Sequence, residues 1–426
     1  MHKYVIIGGS AGAVGAVEAI REIDSSGTIA IISDESLLAY SRPMIGEYLS
    51  GEASLERIMY RTGEFWHLNK VKTFGRRAVG IDLDDKSIKL DGEDKIGFEK
   101  LLIATGSKPL ITKIDGMDKD GVFNFNTLTD AAAVRAKIEE MTKAVIIGGG
   151  LIGVCAAEAL VKRGMEVTIV ELRETILSLL LDSVASNIVG AAVQKKGVNI
   201  ITGHSVQRIR GKEGDNNKVE AVVLDNGEVI PCDIVMIAIG VSPCIELVRG
   251  TKIKTNRGIT VDRFMRTSVP DVYACGDVAE AYDFILDESR VLPQWPIAYL
   301  GGKVAGYNMA GENVQYPGGT VMSALKYFDV PVIAVGMTNP KDSDGCQILA
   351  SHNHSGVSYK KVVLKKGEII GLILVGDIER AGIFFYLMSK GVNVDGFKEK
   401  LLSEDFGLVT LPEQLRRIML TEGLTR

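Results

Sequence analysis

The stretch "KAVIIGGGLIG" at residues 143–153 decides how this chain is read. Val145 to Ile147 form a short apolar strand, and Gly148, Gly150 and Gly153 then spell G-x-G-x-x-G. The following "VCAAEALVKRG" has the pattern of a helix closed by Gly164, and the next strand, "EVTIV", delivers Glu171. Each part has a physical task. The first glycine allows the tight turn, the second lets a pyrophosphate approach the backbone, and the third lets the helix pack closely on the strand. The helix start offers unpaired N–H groups and a positive dipole end to phosphate oxygens. An acid about 20 residues on accepts bonds from a ribose 2′-OH and repels a 2′-phosphate, which favours NAD over NADP. Arg173, two residues later, keeps NADP open.

The chain opens on a second version of this pattern, "KYVIIGGSAGAVG" at residues 3–15. Gly8, Ser10 and Ala13 fall on the three fingerprint places, with Gly9, Gly12 and Gly15 beside them. Serine is small enough for a phosphate to approach, and alanine still permits close packing. The next strand, "TIAIIS", runs out at Asp34, again placed as a ribose partner. Two phrases recur as well, "IATGSKP" and "IAIGVSP", with Ala104, Gly106 and Pro109 answered by Ala238, Gly240 and Pro243. One nucleotide-binding design therefore occurs twice. Strand-like and helical patterns alternate to about residue 310, which predicts parallel sheets with crossover helices. From about 318 short strands lead into helices with no glycine fingerprint, an α+β pattern. The fold class is thus α/β, with two Rossmann-like domains and a C-terminal α+β domain.

Length and composition agree with several soluble domains: 426 residues, 46% hydrophobic, 24% charged, formal net charge −5. Nothing there asks for nucleic acid or an anionic membrane surface. The first residues show no basic stretch before an apolar core, so no secretory leader is expected, and no apolar run is long enough for a membrane span. Cys155, Cys232, Cys244, Cys275 and Cys346 are scattered without CxxC or metal-ligand spacing, as expected for free thiols in a cytoplasm. His352 and His354 in "SHNHSG" lack further ligands nearby and read as a solvated loop, so no metal is expected.

Taken with "TSVPDVYACGDVAEA" and "VGDIERAGI", these motifs resemble the two-dinucleotide flavoprotein oxidoreductases across essentially the whole chain. Within the pyridine nucleotide-disulfide oxidoreductases they are similar to the branch of NADH oxidases, rubredoxin reductases and nitrite reductase flavin domains. The resemblance implies FAD on the first turn, NAD(H) on the second, and an NAD domain inserted in the FAD domain. The FAD domain would be 1–112 with 245–317, the NAD domain 113–244, and a C-terminal interface or dimerisation domain 318–426. For FAD it implies Gly8, Ser10, Ala13, Asp34, Arg42, Thr105, Gly106, Gly276, Asp277 on the ribityl chain, and Trp295 at a helix start facing the flavin. For NAD it implies Gly148, Gly150, Gly153, Glu171 and Gly240.

Two departures narrow the expected chemistry. Peroxidase and disulfide-reductase relatives carry a redox cysteine in the segment "AYSRPMIGEYLSG"; here Pro43 stands in its place. Ferredoxin-reductase relatives pair a lysine near flavin N5 with a glutamate on the NAD-binding helix; Glu47 and Cys155 occupy those positions. Glu47 is a candidate proton relay or a surface charge, Cys155 a small packing residue, and Glu158 a nicotinamide-ribose contact or a surface charge. The expected activity is FAD-dependent NADH:acceptor electron transfer, with a ferredoxin, rubredoxin or iron–sulfur subunit as partner. The chain would act as a homodimer or within a hetero-oligomer, such as a 2-oxoacid oxidoreductase. A stand-alone NADH oxidase and a flavin-bearing assembly or signalling protein are the alternatives.

Overall fold

The computed structural model describes residues 1–36, 38–110, 112–353 and 358–422. The first glycine turn joins strand β1 (His2–Ile7) to helix α1 (Ala11–Ile23), and strand β2 (Ile29–Ile32) follows. The second joins β3 (Lys143–Ile147) to α2 (Leu151–Lys162), with β4 (Glu166–Glu171) after it. A later helix, α3, spans Trp295–Met309. The chain packs as two compact units: residues 1–114, 121–142 and 236–319 form the first, and 115–120, 143–235 and 320–426 the second.

In the first unit the strands Val71–Phe74, β2, β1 and Lys95–Ile103 run parallel in that order. Val272–Ala274, arriving from late in the chain, pairs parallel with Lys95–Ile103, setting Tyr273 opposite Leu102. β1 and β2 are apolar on both faces because both faces are covered. Tyr4, Ile6, Ile29 and Ile31 point into one core with Ala13, Val14, Val17 and Ile20 of α1. Val5, Ile7, Ala30 and Ile32 point into another. This two-residue alternation is the pleat expressed as packing.

α1 and α3 approach to backbone contact. A Cβ built on Gly302 would lie 2.0 Å from the Gly12 carbonyl oxygen, and one on Gly306 would lie 2.5 Å from that of Ala16. Glycines at these positions let the two helices touch where larger residues would hold them apart. The repeated phrases also meet: Ser107–Pro109 pairs antiparallel with Val241–Pro243, register Lys108 to Ser242.

In the second unit β3 lies between β4 and the strand Ile234–Ile237, and Asn199–Thr202 lies outside β4. Three antiparallel strands between Val206 and Pro231 form a small separate sheet. Residues 322–375 form a five-stranded antiparallel sheet, with helix Ala381–Ser389 following. This C-terminal segment packs in one unit with the second glycine module. The bonds between them are specific. Asp182 accepts from the Tyr359 hydroxyl at 2.7 Å and from the nearly buried Lys361 ammonium at 3.0 Å. Asn339 donates to the Leu181 carbonyl, and Glu158 accepts the Phe328 N–H. The fold is therefore α/β, with two Rossmann-type sheets and a C-terminal α+β segment. Among the described residues no helix is long and apolar enough to cross a membrane, and no three His, Cys, Asp or Glu side chains form a metal-sized group.

Candidate functional site

In the second turn Gly148 has φ +106°, a conformation that side chains resist. A Cβ on Gly153 would fall 1.9 Å from the Gly148 carbonyl oxygen, so only glycine lets α2 sit this close to β3. A Cβ on Gly150 would meet nothing within 4 Å, which leaves open space over the helix start. Gly148 and Gly153 thus do the turning and close packing expected of them, and Gly150 leaves room over the helix start. Glu171 ends β4 and accepts the Gly149 N–H at 2.6 Å and the Arg173 N–H at 2.9 Å, which fixes its carboxylate beside the turn. Arg173 is exposed.

The first turn is built in the same way. Gly8 has φ +114°, and a Cβ there would lie 2.1 Å from the Ala104 carbonyl oxygen. Ser10 caps α1 without using its hydroxyl on the helix, and Ala13 is buried against the core. Asp34 is exposed just past β2 and has no bonding partner among the described residues. Its neighbour Glu35 is committed instead, accepting from the Tyr40 hydroxyl at 2.8 Å and from the Arg42 guanidinium. Arg42 also donates to the Asn126 carbonyl at 3.0 Å, and the Asn126 amide donates to the Ser107 carbonyl.

That chain of contacts leads to Asp277. The Ser107 hydroxyl donates to its Oδ2 at 2.7 Å. Burial raises the carboxyl pKa, against the opposing pull of this hydrogen bond and the Arg42 charge. Gly276 before it has φ +74°, and a Cβ there would press on Ala298 of α3 at 3.2 Å. Thr105 donates its hydroxyl to the Cys244 carbonyl, and Gly106, φ +69°, has open space where a Cβ would be. Gly240, φ +115°, belongs to this first unit and accepts the Leu110 N–H.

Trp295 opens α3, and its ring meets that of Tyr60 edge-on, centroids 4.8 Å apart. Trp295 Nε1 and the Tyr60 hydroxyl are both buried without a hydrogen-bond partner among the described residues. Two orphaned polar atoms on adjoining rings are expensive in a folded chain and mark a place suited to a polar ligand edge. With the open space over Gly106, the start of α1 and the half-buried Asp277 carboxyl, these residues fit a flavin dinucleotide in the first unit. The second turn and Glu171 fit a pyridine dinucleotide. Ser107, Tyr60, Glu35 and Asn126 were not singled out from the sequence.

Glu47 lies on the short helix Ile45–Ser50 with its side chain exposed, and Pro43 is exposed in the turn before it. Cys155 is half-buried on α2 beside Tyr327; burial, then the thiol's neighbourhood, push the Tyr327 hydroxyl pKa up. Glu158 is taken by the Phe328 N–H and by Lys162, so it is part of the packing rather than a free surface charge. His352 stands edge-on to Tyr359; His354 lies outside the described residues.

Comparison with known proteins agrees with this geometry. Residues 2–321 match the family model described as pyridine nucleotide-disulphide oxidoreductase. Residues 322–392 match the rubredoxin NAD+ reductase C-terminal domain. The chain is 30% identical over 404 residues to the NADH-dependent phenylglyoxylate dehydrogenase subunit epsilon of Aromatoleum evansii, covering 94% of each chain. It is 33% identical over 346 residues to an NADH oxidase of Methanocaldococcus jannaschii, covering 79% of this chain and 76% of that one. The crystal structure of NADH:rubredoxin oxidoreductase from Clostridium acetobutylicum superposes with TM-score 0.78 at 27% identity, over 93% of this chain and 97% of that one. Two nucleotide turns of like build, the aspartate after a glycine, and a match over three quarters of the length lead to one assignment: the chain belongs to the pyridine nucleotide-disulphide oxidoreductase family and is an FAD-dependent NADH oxidoreductase.

Proposed function

We propose that this chain exchanges hydride between NAD(H) and FAD and passes electrons to a rubredoxin-type or iron–sulfur protein, as the NAD-facing subunit of a larger enzyme. The observation that carries the choice of acceptor is the segment Tyr40–Ser50: it holds no cysteine, and its turn is occupied by Arg42, Pro43 and Met44. All five cysteines lie elsewhere, and Cys232 and Cys275 are buried with thiol pKa pushed up to about 12. No thiolate is supplied there for disulfide or peroxide chemistry. Bound FAD supplies what a nicotinamide lacks, the conversion between two-electron and one-electron transfer.

The residues divide the work as follows. Gly8, Ser10 and Ala13 let the FAD pyrophosphate settle on the start of α1, and Asp34 accepts from the adenosine ribose. Arg42, held by Glu35 and the Asn126 carbonyl, presents its guanidinium at the same groove. Asp277, steadied by Ser107, accepts from the ribityl hydroxyls, and Gly276, Thr105 and Gly106 leave room for them. Trp295 and Tyr60 turn their unpaired donors to the cofactor. Gly148, Gly150, Gly153 and Glu171 seat NADH, and Glu47 is the solvent-side candidate for proton relay. The match of 94% of both chains to a subunit of a phenylglyoxylate dehydrogenase supports the complex role, since phenylglyoxylate is a 2-oxoacid. A cytoplasmic setting belongs to the same proposal.

Oxygen as acceptor is the second reading, favoured by the similarity to an NADH oxidase. The deciding experiment reduces the FAD-loaded chain with NADH anaerobically, then adds either air or an oxidised iron–sulfur protein. Reoxidation by the iron–sulfur protein much faster than by air supports the proposal; rapid turnover with air alone replaces it with the oxidase.

A further inference from the structure

The two nucleotide turns share a device that lies outside their fingerprint. In the first, the Gly8 N–H donates to the Ile32 carbonyl at 2.8 Å; in the second, the Gly148 N–H donates to the Val170 carbonyl at 2.8 Å. Seven residues beyond each of those carbonyls stands a buried apolar residue in the left-handed region: Ala39 at φ +62° and Leu177 at φ +55°. Each donates its N–H to the middle residue of the turn, Ala39 to the Gly9 carbonyl at 3.0 Å and Leu177 to the Gly149 carbonyl at 2.8 Å. The residue before each packs on the same glycine. A Cβ on Gly9 would lie 2.2 Å from Leu38, and one on Gly149 would lie 2.8 Å from Ile176.

We propose that Ala39 and Leu177 are positioning residues that aim a phosphate-binding N–H in each turn. A peptide unit is planar and trans, so the N–H of one residue points opposite to the carbonyl of the residue before it. Holding the Gly9 carbonyl on Ala39 therefore turns the Ser10 N–H outward, and holding the Gly149 carbonyl on Leu177 does the same for Gly150. Neither Ser10 N–H nor Gly150 N–H has an acceptor among the described residues, and both residues are N-caps of the helices that face the pyrophosphates. A left-handed alanine or leucine is strained, and strain of this kind persists where the surrounding structure demands it. That it recurs at one spacing in two modules, on one hydrogen bond, ties it to what the modules have in common. The inference rests on the reading that NADH occupies the second turn and FAD the first.

The test is made on the full-length, FAD-loaded chain, with NADH affinity measured by titration and FAD content by absorbance. Leu177→Pro removes the N–H and forbids the left-handed conformation. Losing one hydrogen bond to a charged group is expected to raise the Kd for NADH about 10- to 100-fold. FAD content and spectrum stay as in the parent. Leu177→Gly removes the side chain but keeps the N–H and adopts the conformation freely, so it restores most of the affinity lost in Leu177→Pro. If the proline variant does not fold, Leu177→Val serves, since a β-branched residue resists positive φ; it should bind NADH more weakly than Leu177→Gly. Equal weakening by glycine and by valine or proline, or proline binding NADH as the parent does, overturns the inference. Gly150→Val separates the two layers of the argument by filling the open space over the turn. If it leaves NADH binding intact, the site reading fails and the aiming role falls with it. If it abolishes binding while the Leu177 variants are indifferent, the aiming role alone is wrong.

Discussion

The contact between α1 and α3 sets the first site, and Gly302→Ala tests it. A Cβ at position 302 would lie 2.0 Å from the Gly12 carbonyl oxygen, whereas real Cβ atoms essentially never come closer than 3.0 Å. Both partners are backbone, so no side chain can swing away; the helices must separate by about 1 Å. A gap of that size forfeits roughly a quarter to a half of each dispersion contact along the seam. The seam is lined by the buried Ala13, Ala16 and Val17 on one side and Val304, Ala305 and Met309 on the other. Overpacking of this type costs about 1–3 kcal/mol, a fall in melting temperature of roughly 3–10 °C for a unit of this size. Ser10 and Trp295 stand at the starts of the two separated helices, so FAD retention should drop as well. The assay is thermal unfolding followed by circular dichroism, with the ratio of flavin to protein absorbance after gel filtration. A variant that melts with the parent and keeps its FAD would show that the close approach is incidental.

Other perturbations have equally definite outcomes. Gly190 sits inside the helix Ser183–Lys195 with nothing within 4 Å of a built Cβ, so Gly190→Ala should stabilise the second unit by about 0.5–1 kcal/mol in a urea titration. Lys361→Met leaves the half-buried Asp182 without its cation and should destabilise that unit by about 1–3 kcal/mol in the same titration. Burial opposes ionisation of Asp182, but the Ala185 N–H, the Tyr359 hydroxyl and Lys361 together hold its pKa below the usual 3.8. Its stabilisation is therefore complete above about pH 4 and lost as pH falls through the lowered value; Asp182→Asn should flatten acid unfolding there. Asp277 runs the other way. Its pKa is raised by burial, so the FAD-free chain should gain stability as pH falls through the raised value toward 3.8, and Asp277→Asn should lose that gain while binding FAD more weakly.

Much of this was legible in the sequence because it is local. The jobs of Gly148 and Gly153 follow from spacing alone, and so does the position of Glu171 at the end of its strand. The less regular first turn proved to be built like the second because the deviating Ser10 and Ala13 keep the small volumes that the turn needs. What stayed hidden is what the chain brings together from afar. Ser107 meets Asp277 across 170 positions, and Arg42 reaches Asn126 across 84. Tyr60 and Trp295 share an edge that no periodicity encodes. Gly9 and Gly149 stood in plain view as the middle letters of both fingerprints, places where any residue is usually tolerated; their reason appears only once Leu38 and Ile176 are seen resting on them. Glu47 shows the opposite limit: the sequence leaves it open between proton relay and surface charge, and only the fold shows its side chain exposed. The C-terminal segment is marked in the sequence by the change of composition near 318, but its bonds to the second module, through Asp182, Tyr359, Lys361, Asn339 and Glu158, join residues far apart in the chain.

The central claim is that the two turns hold two different cofactors that react with one another. The most direct test mixes the FAD-loaded chain with NADH without oxygen in a stopped-flow spectrometer and follows the oxidised-flavin band. The account predicts rapid bleaching by NADH and much slower bleaching by NADPH, as follows if Glu171 accepts from the ribose 2′-OH and repels a 2′-phosphate. A flavin band that stays unchanged with either nucleotide would contradict it.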